Sequence, residues 1–336
     1  MSLKPALAAA LGLAALAVAS PAAAQFQDRT IRFASGTDER HPVAKGIAKM
    51  NACLAEKSGG KMKVQGFYGG SLGADLQVTQ SLRTGTLEMA LSSSSPLIGI
   101  VPELGVFDLP FLFADEKEVD ALLDGEFGAL LSSKLPAVGL VNLAFWENGF
   151  RSFANSKHPV ARMEDMSGLK VRVMQNNIYV DTFRTLGTNA VPMAGGEVFS
   201  ALETKAIDGH DNAVVTMDAS KLYEVQKYLA LTRHTYTPFL IMYSKQLFDA
   251  LSGPEQAALQ DCAKAGGAVE RAESRAMTVT SLAKLKQEGM TVTELKPEEI
   301  AKMREAVKPV YERQAKTIGP EIVARVQQEL AKVRAK

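Results

Sequence analysis

Short apolar strands alternate with helix-period segments along most of this chain, and that alternation confines it to layered α/β architectures. Residues 30–34, 61–67 and 87–91 read as strands. Between them, 41–57 carries Val43, Ile47, Met50 and Leu54 at helical spacing, and 76–84 reads as a second helix. Gly59-Gly60 and Gly85 mark their ends, and Ser92-Ser93-Ser94-Ser95 a polar turn. The pattern returns with strands over 138–146 and 150–154, separated by a turn at Gly149, and with a strand over 168–173. Helices over 179–186 and 197–204 follow, then 206–212 running from strand into turn, and an apolar strand over 239–243. Residues 254–288 are rich in Ala, Glu, Lys, Leu and Gln and lack proline after Pro254, which predicts one long helix bracing two lobes. A strand over 291–295 and two helices close the chain. With no linker between the halves, the chain is expected to cross between two α/β lobes more than once.

The first residues stand apart. Lys4, an apolar run over 6–19 and Ala22-Ala23-Ala24 spell a secretory signal peptide over 1–24, cleaved after about Ala24. The run is shorter than the ~20 residues of a membrane span, and no Cys at the cleavage point indicates a lipid anchor. The expected mature protein is exported, soluble and periplasmic. Losing Lys4 takes the formal charge from +1 to 0, which argues against a general nucleic-acid binder. Cys53 and Cys262 have no metal-type spacing. In an oxidising compartment they form either one bridge or two buried thiols.

Catalytic signatures are missing. There is no G-x-S-x-G, H-E-x-x-H, G-x-x-x-x-G-K-[ST] or G-x-G-x-x-G, and the four histidines include no i, i+4 pair. His210 and Asp211, read as one turn, could supply a general base but have no paired nucleophile. His158 and His234 read as surface or loop residues. No metal or cofactor is expected.

A charge in an apolar strand remains to be explained. In Gly168-Leu169-Lys170-Val171-Arg172-Val173, side-chain alternation puts Val171 and Val173 on one face and Arg172 on the other. A guanidinium is charged at any accessible pH and offers a fork that fits a carboxylate in two parallel bonds. Buried, it needs an anion from the chain or from a ligand. Other polar groups gather near strand ends, where open α/β sheets place ligands: Asp38, Glu39 and His41; Asn148; Arg151; Gln175, Asn176 and Asn177; Asp211 and Asn212. Arg151 could instead pair internally with Glu147 or Asp165, and Asn212 could serve turn geometry. Trp146 and Tyr179 either flank an apolar acid or belong to the core.

The order and spelling of many segments resemble one family, the DctP-type solute-binding proteins of TRAP (tripartite ATP-independent periplasmic) transporters. They include Ser58-Gly59-Gly60-Lys61, Gly70-Ser71-Leu72-Gly73, Val106-Phe107-Asp108-Leu109-Pro110-Phe111-Leu112-Phe113, Gly149-Phe150-Arg151 and Gly168-Leu169-Lys170-Val171-Arg172. Leu186-Gly187-Thr188-Asn189-Ala190-Val191-Pro192-Met193, Glu197-Val198-Phe199-Ser200-Ala201-Leu202-Glu203, Ile207-Asp208-Gly209, Asn212 and Tyr223-Glu224-Val225-Gln226-Lys227-Tyr228 continue the match. The resemblance implies a two-lobed periplasmic binding protein of type II-like fold, each lobe a mixed sheet flanked by helices, with the long helix of about 254–288 spanning both. Lobe I would comprise 26–149 and 238–277, and lobe II 150–237 and 278–336. It implies a carboxylate anchor at Arg172, further ligand contacts at Arg151 and Asn212, and contacts from Asp38, Glu39 and His41. It also implies an ion-driven permease of one small and one large integral subunit as partner. His210-Asp211 departs from the Gln-Glu common in the family. The expected role is capture by lobe closure, not catalysis, by a monomer. A hydrogen-bonding pocket (Asp38, Glu39, Asn148, Gln175, Asn177, Asp211, Asn212) favours a sugar acid, a uronate or aldonate, ahead of a small hydroxy or keto acid or an aromatic acid. The rival of another class is an exported hydrolase or lyase built on His210 and Asp211.

Overall fold

The computed structural model describes residues 26–335, so the signal-peptide reading of 1–24 lies outside the described residues. The first half opens β1 (Arg29–Ala34), α1 (Val43–Ser58), β2 (Met62–Phe67), α2 (Asp75–Arg83) and β3 (Met89–Ser93). α1 stops where expected: Gly59 adopts φ 62°, and its N–H caps the Ala55 carbonyl. Two 3-10 segments, Ser95–Gly99 and Pro102–Asp108, lead through α3 (Glu116–Leu123) and α4 (Glu126–Ser132) to β4 (Leu140–Asn155). The second half holds β5 (Lys170–Val173), α5 (Asn177–Thr185), β6 (Asn189–Pro192), α6 (Val198–Glu203), β7 (Gly209–Ala213) and α7 (Val214–Ala219). Then come β8 (Tyr228–Ser244), α8 (Lys245–Asp249), α9 (Gly253–Gln287), β9 (Thr291–Thr293), α10 (Pro297–Ala306), α11 (Lys308–Ile318) and α12 (Pro320–Arg334).

Among the described residues the strands form one nine-stranded sheet, in the order β2-β1-β3-β8-β4-β7-β5-β6, with β9 beside β8. Its two ends are separate α/β units with parallel pairs β1–β2, β1–β3, β5–β6 and β5–β7. The long antiparallel pair β4–β8 runs through both, so the lobes share two strands. The upper half of β8 pairs with β3, and its lower half with β9. β7 adds to β4 from Arg151 to Asn155.

Three elements depart from the sequence expectation. Gly149 does not turn the chain: it sits at φ 103° inside a continuous β4, where the register against β8 slips between Glu147 and Gly149 and again between Arg151 and Phe153. Pairing on both flanks keeps the strand intact, and bulges absorb the extra residues. The expected turn at Asp208–Asn212 is instead β7, held straight by β4 and β5 on either side. Three helices, not two, close the chain.

Three cores fix these layers. One lies under Val171, Val173, Phe153, Leu240 and Met242 and is covered by the Pro102–Asp108 segment and α3, α4, α5, α11 and α12. The opposite face carries two smaller cores, one between β1, β2, α1 and the N-terminal half of α9, the other between α6, α7 and the C-terminal end of α9. α9 begins with a capping box, Ser252 accepting from the Glu255 N–H and Glu255 accepting from the Ser252 N–H. It then bridges the two smaller cores as a 35-residue helix. Cys53 of α1 and Cys262 of α9 form a disulfide that joins residues 209 apart in sequence.

Candidate functional site

Parallel pairing of β5 with β7 sets Arg172 opposite His210. Alternation along β5 sends Val171 and Val173 into the large core and Arg172 to the opposite face. The residue is 4% exposed. Its Nε and Nη2 both donate to the Met193 carbonyl oxygen, at 3.0 and 2.8 Å. No carboxylate among the described residues forms an ion pair with it. Burial, and then the Arg151 charge beside it, pull it down to about 10, so it stays protonated at neutral pH with no ion-pair partner among the described residues.

Arg151 is in the opposite condition. Its Nε donates to Asp211 Oδ2 at 2.5 Å, its Nη1 to Asn212 Oδ1 at 3.0 Å, and its Nη2 to the Asp211 carbonyl. The expected internal partners do not serve: Glu147 pairs with Arg275, and Asp165 with Arg162. The guanidinium also lies 5.7 Å from the centre of the Tyr179 ring. His234 Nε2 stands 3.3 Å from Asp211 Oδ2, and its Nδ1 is 2.7 Å from Thr232 Oγ1. Burial alone would raise Asp211; the Arg151 charge and the His234 hydrogen bond outweigh it and hold this carboxyl far below the usual range. His234, expected at the surface, is thus buried within β8; His158 is exposed.

Asn212 collects the adjoining donors. Besides Arg151, its Oδ1 accepts from Asn148 Nδ2 at 3.4 Å and from the Ala213 N–H at 2.9 Å. Asn148 Oδ1 accepts from the Thr216 hydroxyl at 2.6 Å. His210 and Asp211 are neighbours on a strand, so their side chains leave on opposite faces and do not pair as acid and base. His210 meets Gln226 at 3.4 Å, and burial lowers it to about 4.

The first half contributes from the ends of β1 and β3. Asp75, the first residue of α2, accepts from the Ser93 N–H at 3.2 Å, and its Oδ1 lies 3.5 Å from where a Cβ on Gly36 would stand. Burial raises its carboxyl, against the pull of the Ser93 N–H. His41 is buried. Its Nδ1 accepts from the Val43 N–H at 3.3 Å, its Nε2 has no protein partner, and burial lowers it to about 3. Asp38 pairs with Arg40 at the rim at 2.8 Å, close enough to feel the Lys221 charge of the second half. Asn176 caps α5 and ties the halves together, its Nδ2 donating to Asp108 Oδ2 at 2.9 Å and to the Ser95 carbonyl at 3.3 Å. Burial raises Asp108 to about 7.

Some expected residues lie elsewhere. Gln175, Asn177 and Glu39 are exposed. Trp146 belongs to the core, fully buried against Gly46, Gly266 and Gly267, with Nε1 donating to the Ala263 carbonyl at 3.0 Å. Asp75 and Thr216 carry no signal in the sequence, because each acquires its role from a partner far along the chain; of the expected run 175–177, only Asn176 is buried. Among the described residues no group of three His, Cys, Asp or Glu is placed to hold a metal ion, and no helix is long and apolar enough to cross a membrane.

Two α/β lobes sharing a pair of strands, with a buried polar cluster at their junction, define the architecture of a two-lobed solute-binding protein. The chain belongs to the bacterial extracellular solute-binding proteins of family 7 (DctP), whose profile matches residues 33–317. It is similar to a sugar acid binding protein from Advenella mimigardefordensis solved in complex with galactonate, at 43% identity and a TM-score of 0.90, covering 92% of this chain and 99% of that one. It is 37% identical to the 2,3-diketo-L-gulonate-binding periplasmic protein YiaO of Escherichia coli over 77% of this chain and 78% of the relative. It is 31% identical to the C4-dicarboxylate-binding periplasmic protein DctP of Rhodobacter capsulatus over 95% and 96%. The family's role is extracytoplasmic capture of small organic acids for TRAP permeases.

Proposed function

We propose that this protein captures a sugar acid in the periplasm, as a monomer released by signal cleavage near Ala24, and presents it to a permease of one small and one large membrane subunit. The ligand carboxylate docks on the Arg172 fork, and Asn212, Asn148 and His41 meet its hydroxyls. Arg151, neutralised by Asp211, acts by holding Asn212 in place. The observation that carries this reading is the buried guanidinium without a protein acid. A charge-assisted bond to such a group contributes ~1.5–3 kcal/mol. Closure strengthens it by lowering the local dielectric. The hinge would lie where β4 slips register at Glu147–Gly149 and Arg151–Phe153, with 26–149 and 238–277 on one side and 150–237 and 278–336 on the other; the slips support that reading. The similarity to a sugar acid binding protein solved with galactonate and to one named for 2,3-diketo-L-gulonate favours a hydroxylated acid over an aromatic one. The hydrolase reading draws no support from β7, which parts His210 from Asp211.

A thermal-shift screen followed by calorimetry, with galactonate, galacturonate, lactate, benzoate and succinate, tests this. Tight binding of an aldonate or uronate without product formation is expected. Binding of none of them, or turnover of one, defeats the proposal.

A further inference from the structure

The two halves also meet away from the strands they share. Arg172, Asn148 and His41 are all buried, so the lobe junction is shut in this structure. Ser95 stands just beyond the end of β3, and Asn176 just beyond the end of β5, the strand that carries Arg172. Asn176 Oδ1 is spent within its own half, accepting from the Tyr179 N–H at 2.9 Å as the cap of α5. Its Nδ2 crosses to the first half, donating to Asp108 Oδ2 at 2.9 Å and to the Ser95 carbonyl at 3.3 Å. The Ser95 hydroxyl donates to the other oxygen of Asp108 at 2.6 Å. Asp108 is fully buried, so these two donors stand in for the water it has lost. An apolar contact lies alongside: a Cβ on Gly105 would stand 2.8 Å from Ile178 Cδ1, so the Pro102–Asp108 segment rests directly on α5. None of these residues belongs to β4 or β8.

We infer that Asn176 is a closure latch: its bond to Asp108 forms as the lobes shut and holds them shut, and it tightens binding without touching the ligand. With the lobes apart, water serves the Asp108 carboxyl and the Asn176 amide. Closure exchanges that water for the bond between them, and the bond lasts only while α5 lies against the first half. Because α5 begins just beyond the anchor strand, seating a carboxylate on Arg172 and fastening the latch belong to one movement. Apparent affinity scales with the population of the competent state, so a loosened latch gives weaker binding and faster release. The inference rests on the reading of capture by lobe closure and adds to it the positioning residue that secures the shut form.

Asn176→Asp isolates the latch. Aspartate caps a helix as well as asparagine does, so α5 keeps its start, but the group that donated to Asp108 becomes an acceptor. Adding Asp108→Asn restores the bond with the roles exchanged: the new amide donates to the carboxylate at 176, and its oxygen keeps the Ser95 hydroxyl. The wild type, the single variant and the double variant are titrated with galactonate in a calorimeter at pH 8, above the value of about 7 to which burial raises Asp108. Stopped-flow measurements give the release rate, X-ray scattering reports closure, and thermal unfolding checks the fold. Asn176→Asp should weaken galactonate binding by about tenfold or more, chiefly through faster release, and reduce the contraction seen on binding. The double variant should return to within about threefold of wild type. A single variant that binds and contracts like wild type, or a double variant as weak as the single, overturns the latch and leaves Arg172 as anchor. A wild type that neither binds galactonate nor contracts overturns the capture reading and this inference with it.

Discussion

Arg172 shows how far one residue can be read in isolation. Its position in an apolar strand identifies a buried charge, and the structure leaves that charge without an acid of its own. Arg172→Ala should cut affinity for the bound acid at least 100-fold in calorimetry. Arg172→Lys should cut it at least tenfold, since an ammonium cannot reproduce the two-point fork. Since Nε and Nη2 hold only the Met193 carbonyl, both variants should stay folded; near wild-type affinity in Arg172→Lys would remove the case for two-point binding. Arg151 carries the opposite lesson. A second arginine near the same strand ends looks equivalent in the sequence, but Asp211, 60 positions away, occupies it. Nothing local to Arg151 distinguishes the two, because an ion pair depends on which strands become neighbours.

At the scale of elements, α9 was legible and its attachments were not. Its length follows from composition and the Ser252 cap. What it grips follows from side chains at its middle. Glu270 is buried and accepts from the Glu147 backbone N–H at 2.9 Å and from the Ser274 hydroxyl at 2.9 Å, beside the Glu147–Gly149 bulge of β4. Arg275 binds Glu147 and Asp120 on either side. Burial pushes Glu270 up from 4.5 to about 8. Between those values the folded protein keeps a proton that the unfolded chain has lost. Stability therefore falls as pH rises through that window, by ~1.4 kcal/mol per pH unit for one such group. Glu270→Gln should keep the bond from the Glu147 N–H on its amide oxygen and turn the Ser274 bond round, the amide NH2 donating to the hydroxyl; it should flatten this decline between pH 5 and 8 and leave the variant more stable than wild type at the upper end. Urea denaturation of both proteins across that range checks the sign; a variant with the wild-type slope would show Glu270 ionised in the fold. The same element explains a tight tolerance. A Cβ on Gly267 would stand 2.8 Å from the Trp146 ring, so the glycine pair that reads as a weak point in the helix is where the helix approaches β4.

For the whole molecule, the disulfide is the clearest long-range constraint. It joins α1 to α9 across 209 residues and ties the N-terminal half of the long helix to the first lobe. Closing so long a loop restricts the unfolded chain, and losing such a bond typically costs ~2–5 kcal/mol. Reduction, or a Cys53→Ser and Cys262→Ser double substitution, should lower the unfolding midpoint by on the order of 5 °C in calorimetry, while ligand affinity changes little because neither cysteine is near Arg172. An unchanged midpoint would mean that the bridge contributes nothing to folding. Much of the architecture was present in the sequence alone: the alternating elements, the long helix, the anomalous strand arginine and the ordered family segments. These are local properties, written in side-chain spacing over a few consecutive residues. The merging of 138–146 and 150–154 into one bulged strand, the burial of His234, the capture of Arg151 by Asp211, and the choice between bridge and thiols were decided by the tertiary structure. Each depends on partners contributed by segments far apart in the chain, which no short window of sequence contains together.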